Sequence, residues 1–379
     1  MDLSTLKRED VKVVADDLST ILAEIIAKYE QDSGKALQPA HIERLLINVY
    51  AYRESLTRQQ VNEAYRQQHV RFATGLMLDL CGDDVNTPRL QDSAARCTLR
   101  FTASDFVGEV NIPMGTQVAV GDVVFATIEQ GQLSANRPQM DLQAECTQTG
   151  TRGNGWAVGQ INAVQTALSG ANRIAAQNIS IPAGGVETES DDAYRERVLL
   201  APESFSVAGS VGAYQYWARA VSPAICDVHV GNANDSKGNA IGGTVAVTVL
   251  TKTGLPSDEL IAQVRTELSG EKKRPLCDTV VVKAPETVDY TLNAELVLFT
   301  GANALAVKTA AETAWAKYES ARREKLGGDI VPLDVMNVLQ VAGVYNVVLN
   351  SPTLRVIEPN QWARCTSVRI SIATTQQDG

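Results

Sequence analysis

Residues 181–220 read IPAGGVETES DDAYRERVLL APESFSVAGS VGAYQYWARA. Asp191 and Asp192 precede the helical run Tyr194–Leu200, where side-chain oxygens can meet the orphan amides of a first helical turn. Pro202 stops that helix, since it lacks an N–H and restricts the residue before it. The small-residue stretch Ala208-Gly209-Ser210-Val211-Gly212 follows, and Ala213–Ala220 is a second helical run. Glycine lets a backbone bend or approach closely. The spacing therefore predicts a helical hinge over 183–222, with Gly209 and Gly212 as its pivots, between two β-rich territories.

Upstream, residues 9–31 carry Val11, Val14, Leu18, Ile21, Leu22, Ile25 and Tyr29 at helical spacing, and Gly34 ends the run. Pro39 opens a second helix in which Ile42, Leu45, Val49, Tyr52 and Leu56 step by three and four residues. That step matches the seam of a helical bundle, so Leu45, Val49, Tyr52 and Leu56 are the candidate partner interface. Thr57–Arg71 is helical but polar nearly all round, the pattern of a solvated helix or of one bridging to another body. Phe72–Gly82 returns to apolar character. Residues 1–85 thus form a helical assembly segment.

Over 86–182 the period changes to two. Short runs at 98–101, 109–113, 114–118, 123–127 and 142–147 predict a small β domain. Its glycine-rich loop GTRGNGWAVG (150–159) lacks a following Gly-Lys-Ser/Thr and fits a tight turn around Trp156 better than a phosphate cradle. Residues 223–285 follow the order strand, strand, helix, strand. Residues 286–379 show a long strand, two helices and two strands, so both are read as small α+β units. The fold class is α+β, multidomain.

The chain has 379 residues, 44% hydrophobic and 21% charged, with formal net charge −10. Nothing in this balance offers the basic face of a nucleic-acid binder. No apolar run of about 18 residues marks a membrane anchor. The six cysteines (Cys81, Cys97, Cys146, Cys226, Cys277 and Cys365) are scattered without a C-x-x-C pair, as small buried thiols of a cytosolic protein are. His41, His69 and His229 fall in separate segments with no metal-ligand spacing, and Gly-x-Ser-x-Gly is absent. Glu187, Glu189, Asp191 and Asp192 cluster where helix capping accounts for them. The loop 232–239 lacks the spaced acids of a calcium site. No catalytic residue, cofactor or metal is expected.

Two ordered motifs carry a resemblance. Glu-Ser-Asp-Asp-Ala-Tyr-Arg-Glu-Arg-Val (189–198) followed by Gly-Ser-Val-Gly-Ala-Tyr-Gln-Tyr-Trp-Ala-Arg-Ala (209–220) is similar to the central motif of the baseplate J-like family. Arg53-Glu54, Arg58, Val61-Asn62-Glu63-Ala64 and Ala73-x-Gly75-Leu76-x-Leu78-Asp79-Leu80-x-Gly82 resemble it as well, and so does the two-unit C-terminal half. The resemblance implies a non-enzymatic wedge subunit in the baseplate of a contractile phage tail or related injection particle. It implies assembly in the host cytoplasm with a second copy and a smaller wedge protein as a heterotrimer. Neighbouring wedges would close a ring that meets sheath or hub proteins, and the hinge would move on sheath contraction. A host-surface glycan-binding module of a tail and a cell-wall hydrolase stay open as alternatives.

Overall fold

The computed structural model describes residues 6–206, 209–235, 237–270, 273, 275 and 278–378; Ala208 of the predicted joint, Ser236 of the 232–239 loop and Cys277 lie outside them. The fold is α+β, in two units. One comprises Met1–Arg89 with Ser190–Leu199, the other Leu90–Glu189 with Leu200–Gly379.

In the first unit, helix α1 (Leu18–Ser33) starts where the Asp17 carboxylate accepts the Thr20 amide, and it ends at Gly34. The spacing predicted helix from residue 9, but residues 11–17 lie outside any helix. Side chains of the next helix take up several of their main-chain groups, so a helical ladder is not needed to satisfy them. Helix α2 (Ile42–Arg66) is continuous, and α3 (Gly75–Asp83) follows. Helix α4 (Asp191–Leu200) comes from the quoted stretch.

The second unit begins with a barrel-like sheet of β1 (Ala94–Phe106), β3 (Gln117–Val120), β4 (Val123–Thr127), β6 (Gln139–Thr149), β7 (Ala163–Val164) and β8 (Ala171–Asn178). Its order is β7-β3-β4-β6-β1-β8, antiparallel throughout, with a ribbon of β2 (Val110–Ile112) and β5 (Gly131–Leu133) beside it. Alternate residues point inward, as period two requires: Leu99, Phe101, Val118, Phe125, Leu142 and Ala144 fill the core. The Asn178 amide donates to Ile161 O at 3.2 Å and its carboxamide accepts the Ile161 amide at 2.9 Å, which draws the two edges of the sheet together.

Two small α+β layers complete the unit. The first has α5 (Val211–Arg219), β9 (Ile225–Asn234), β10 (Ala240–Thr251), α6 (Asp258–Leu268) and β11 (Thr279–Lys283), in sheet order β11-β10-β9. The second has β12 (Glu286–Phe299), α7 (Ala304–Arg323), α8 (Pro332–Leu339), β13 (Val344–Ser351) and β14 (Gln361–Gln377), in order β13-β12-β14. In each sheet the central strand has one antiparallel and one parallel neighbour. A parallel neighbour needs a crossover; α6 supplies it for β10 and β11. Both helix-facing sheet surfaces are closed by apolar cores, around Val247, Val249, Val264 and Leu268 in one and Leu296, Leu298, Trp315 and Leu339 in the other.

Candidate assembly surface

The first unit is held by the motif residues themselves. Tyr194 of α4 is fully buried with Ala73, Leu78 and Val198, and its hydroxyl donates to Thr87 O at 2.7 Å. That hydroxyl passes over Gly82, where an added Cβ would lie 1.8 Å from the phenol oxygen. Arg195 donates to Val70 O at 3.0 Å and Ala73 O at 2.8 Å, and Arg197 to Pro88 O at 2.6 Å. Arg89 lies 4.5 Å from the Tyr194 ring centroid and pairs with Asp79 at 2.7 Å and Asp191 at 2.8 Å. A charged fork on carbonyls and carboxylates is among the stronger polar contacts available.

Asp191 was expected to cap its own helix. Its carboxylate instead accepts the Gly75 amide at 2.9 Å, while Ser190 provides the local cap, accepting the Ala193 amide at 3.4 Å. The Gly75 amide and then Arg89 hold the Asp191 carboxyl below the ordinary carboxylate value. The other carboxylates of this stretch are engaged as well. Glu187 accepts the Thr151 amide, Glu189 accepts the Leu90 amide, and Asp192 pairs with Arg195.

Helix α2 shows an unusual division of faces. Ala51, Ser55 and Asn62 are its buried residues. Their angular positions agree within about 40° on a helix of 3.6 residues per turn. Ile42, Leu45, Leu46, Val49, Tyr50 and Tyr52 fill the opposite sector and are between 53% and 76% exposed. Of the predicted interface residues, Leu45, Val49 and Tyr52 thus lie together on an outward face, and Leu56 at its end is half-buried. Leu46 and Tyr50 share that face and were not among the predicted residues. The helical wheel carried the signal, since both fall within 80° of the Ile42 direction, but a strict seam pattern passes over them.

The polar run after Leu56 is neither simply solvated nor free to bridge elsewhere. Asn62 is fully buried and binds the main chain of Val13 and Val14, Arg66 donates to Val11 O at 3.0 Å, and Arg58 donates to Ala15 O at 3.1 Å. Polar side chains in this run grip a passing backbone, which is how a buried amide is satisfied.

The predicted pivots lie in the second unit. Gly209 has φ +76°, and a Cβ there would come within 3.0 Å of Pro275 and Asp278; one at Gly212 would come within 2.6 Å of Glu203. A left-handed backbone with close approach suits glycine at 209, and close approach suits it at 212. The stretch 183–222 divides between the units, with α4 in the first and α5 in the second.

The remaining candidates have local partners. His41 accepts the Gln38 amide, and His69 meets Tyr65 edge to face at 4.9 Å. His229 is half-buried in β9, and burial lowers its pKa. Trp156 donates to Arg152 O at 3.3 Å, closing the 150–159 turn. Asp235 accepts the Lys237 and Asn239 amides, while Asn232–Asn234 of the predicted loop extend β9. Burial pushes the Cys97 and Cys226 thiols up to about 12, and it raises Cys81 and Cys365. Such thiols are poor nucleophiles. Among the described residues no three His, Cys, Asp or Glu are grouped as metal ligands, and no helix is long and apolar enough to cross a membrane. Trp156 and Trp217 are half-buried, and Trp315 and Trp362 are buried.

Four family models match the chain in succession: the baseplate J-like N-terminal domain at 44–95, barrel domain at 98–185, central domain at 206–284 and C-terminal domain at 290–371. The Tyr194 helix lies between the second and third. Baseplate protein J of Escherichia phage P2 is 28% identical over 383 residues, covering 98% of this chain and 97% of that protein. A solved baseplate of the anti-feeding prophage aligns with TM-score 0.44 at 12% identity, over 91% of this chain and 90% of that one.

Proposed function

Because the chain belongs to the baseplate J-like family, whose members are structural subunits of phage baseplates, we propose that it is a wedge subunit whose α2 face is the assembly seam. The heterotrimer with a second copy and a smaller wedge protein, the closing of a ring by neighbouring wedges, and contact with sheath or hub proteins belong to this reading. So does assembly in the host cytoplasm. The observation that carries it is the outward apolar face of α2 at Ile42, Leu45, Leu46, Val49, Tyr50 and Tyr52. Each such side chain gains about 1.5–3 kcal/mol when fully buried. Six on one face are a strong drive toward partner helices, and contiguous exposed apolar surface of this kind marks interaction sites.

A second contact is proposed at the C-terminal layer. Phe299 and Tyr345 meet edge to face at 5.4 Å, and both are exposed. This pair suits the packing of a neighbouring copy in a ring. Movement on sheath contraction is proposed at the predicted hinge, 183–222. Its proposed pivots remain Gly209, whose φ of +76° suits glycine, and Gly212.

The test is co-expression of the Leu45→Asp, Val49→Asp double variant with the adjacent baseplate proteins, followed by native mass measurement. Both sites are more than half exposed, so the fold should persist. The expected result is a folded chain that enters no wedge. A wedge of unchanged mass would overturn the seam.

A further inference from the structure

Helix α2 turns its weak face to its own unit. Toward α1 it offers Ala51, Ser55 and the half-buried Ile47. In α1, Ile21 is buried, while Leu22, Ile25, Ile26 and Tyr29 are half-buried. A roll of about half a turn around the α2 axis would exchange its faces, since side chains are distributed at 3.6 residues per turn. Amphipathic helices ordinarily bury the large apolar face. Something must hold the other setting.

The residues placed to do so are those gripping the segment before α1, a 3-10 turn at Arg8–Asp10 followed by irregular chain over 11–17. Asn62 Oδ1 accepts the amides of Val13 at 2.9 Å and Val14 at 3.0 Å, and its Nδ2 donates to Val14 O at 2.9 Å. Ser55 donates to Asp16 O at 2.8 Å, Arg58 to Ala15 O and Arg66 to Val11 O. Further along, Arg8 donates to Phe72 O at 2.6 Å and pairs with Glu63. Nearly all these bonds engage main-chain atoms of the segment, whose own Val13 is exposed. Those of Ser55, Arg58, Asn62 and Arg66 originate on the face of α2 opposite its apolar sector. Rolling the helix would break the bonds of Asn62 and Ser55 and leave buried polar groups without partners, a strongly disfavoured outcome.

We propose that residues 7–17 act as a strap that fixes the rotational setting of α2 and thereby presents its apolar face outward. The purpose of the strap rests on reading that face as the assembly seam; its mechanical role does not. The strap is thus a conformational device, distinct from the surface it presents.

The experiment uses the full chain, as a monomeric fraction, with Val49→Cys as a reporter labelled by a maleimide and read at that site by peptide mass spectrometry. Asn62→Ala and, separately, the Arg58→Ala, Arg66→Ala pair loosen the strap. Hydrogen exchange over residues 11–16 should quicken about tenfold or more, as expected for a segment released locally. Labelling at position 49 should slow severalfold while helical circular dichroism is kept. Freed strap amides with unchanged labelling would overturn the proposal. Faster labelling with lost helicity would also overturn it, by making the strap a general stabiliser. Unchanged exchange in both variants would mean that these side chains do not hold the strap, which is equally fatal. The seam is judged separately by wedge formation in the Leu45→Asp, Val49→Asp variant, so either idea can fail alone.

Discussion

Helices α2 and α7 are both long and both amphipathic, yet they face opposite ways. In α7 the spacing of Val307, Ala311 and Trp315 is i, i+4, i+8, and all three are buried against the C-terminal sheet. Asn303 caps the helix by accepting the Ala306 amide. In α2 the buried line is Ala51, Ser55 and Asn62, the large apolar residues point outward, and His41 gives no side-chain cap. The comparison shows that helical periodicity identifies a stripe without saying what covers it. A sheet supplies the cover for α7 from the same chain; α2 has a strap on one side and an open face on the other.

The sharpest way to break this contrast is to truncate one residue from each stripe. Trp315→Ala should cost about 3–5 kcal/mol, the usual range for deleting a buried aromatic, read by urea unfolding of the purified chain. Val49→Ala should move the same measurement by less than about 0.5 kcal/mol, as exposed substitutions do, while weakening wedge formation. Comparable losses in the two variants would show that α2 buries its stripe in solution.

A smaller effect is expected within the first unit. In Gly82→Ala the new Cβ would displace the Tyr194 hydroxyl from Thr87 O. Overpacking of this kind costs about 1–3 kcal/mol, and it should appear as faster hydrogen exchange in α3 and α4 with the C-terminal layers unchanged. Uniform acceleration along the whole chain would contradict the division into two units.

The smallest effect is one of pH. The folded pKa of Asp191 lies below its ordinary value of 3.8, through the Gly75 amide first and Arg89 second. A depressed carboxyl stabilises the fold fully above the unfolded value and loses that contribution as pH falls through the folded one. Protection of the α3 and α4 amides, relative to their intrinsic exchange, should therefore fall on acidification below about pH 4, and Asp191→Asn should flatten that dependence. An unchanged slope in the variant would detach Asp191 from the stability of the unit.

Much of this was legible in the chain. The strands and helices of residues 225–377 follow from β-branched alternation, from Ser257 and Asn303 as caps and from Pro332 at the start of α8, because each signal is local. The α+β class and the family resemblance rest on the same kind of pattern. Strand β8, ANRIAAQN, was missed because it has little β-character of its own and exists through its pairing with β1. Helix was expected from residue 9 because Val11, Val14 and Leu18 are spaced like a helix face, yet Asn62 captures the amides of Val13 and Val14 from 49 and 48 positions away. Tyr194 likewise stands 107 positions from the Thr87 carbonyl it binds. The sequence by itself determined the helices and strands whose signals are local, and where they are apolar. Only the tertiary structure decided which way α2 faces and that α4 belongs with the N-terminal helices. The reason is physical: periodicity is a property of neighbours in the chain, whereas the facing of a helix depends on which distant backbone groups its side chains satisfy.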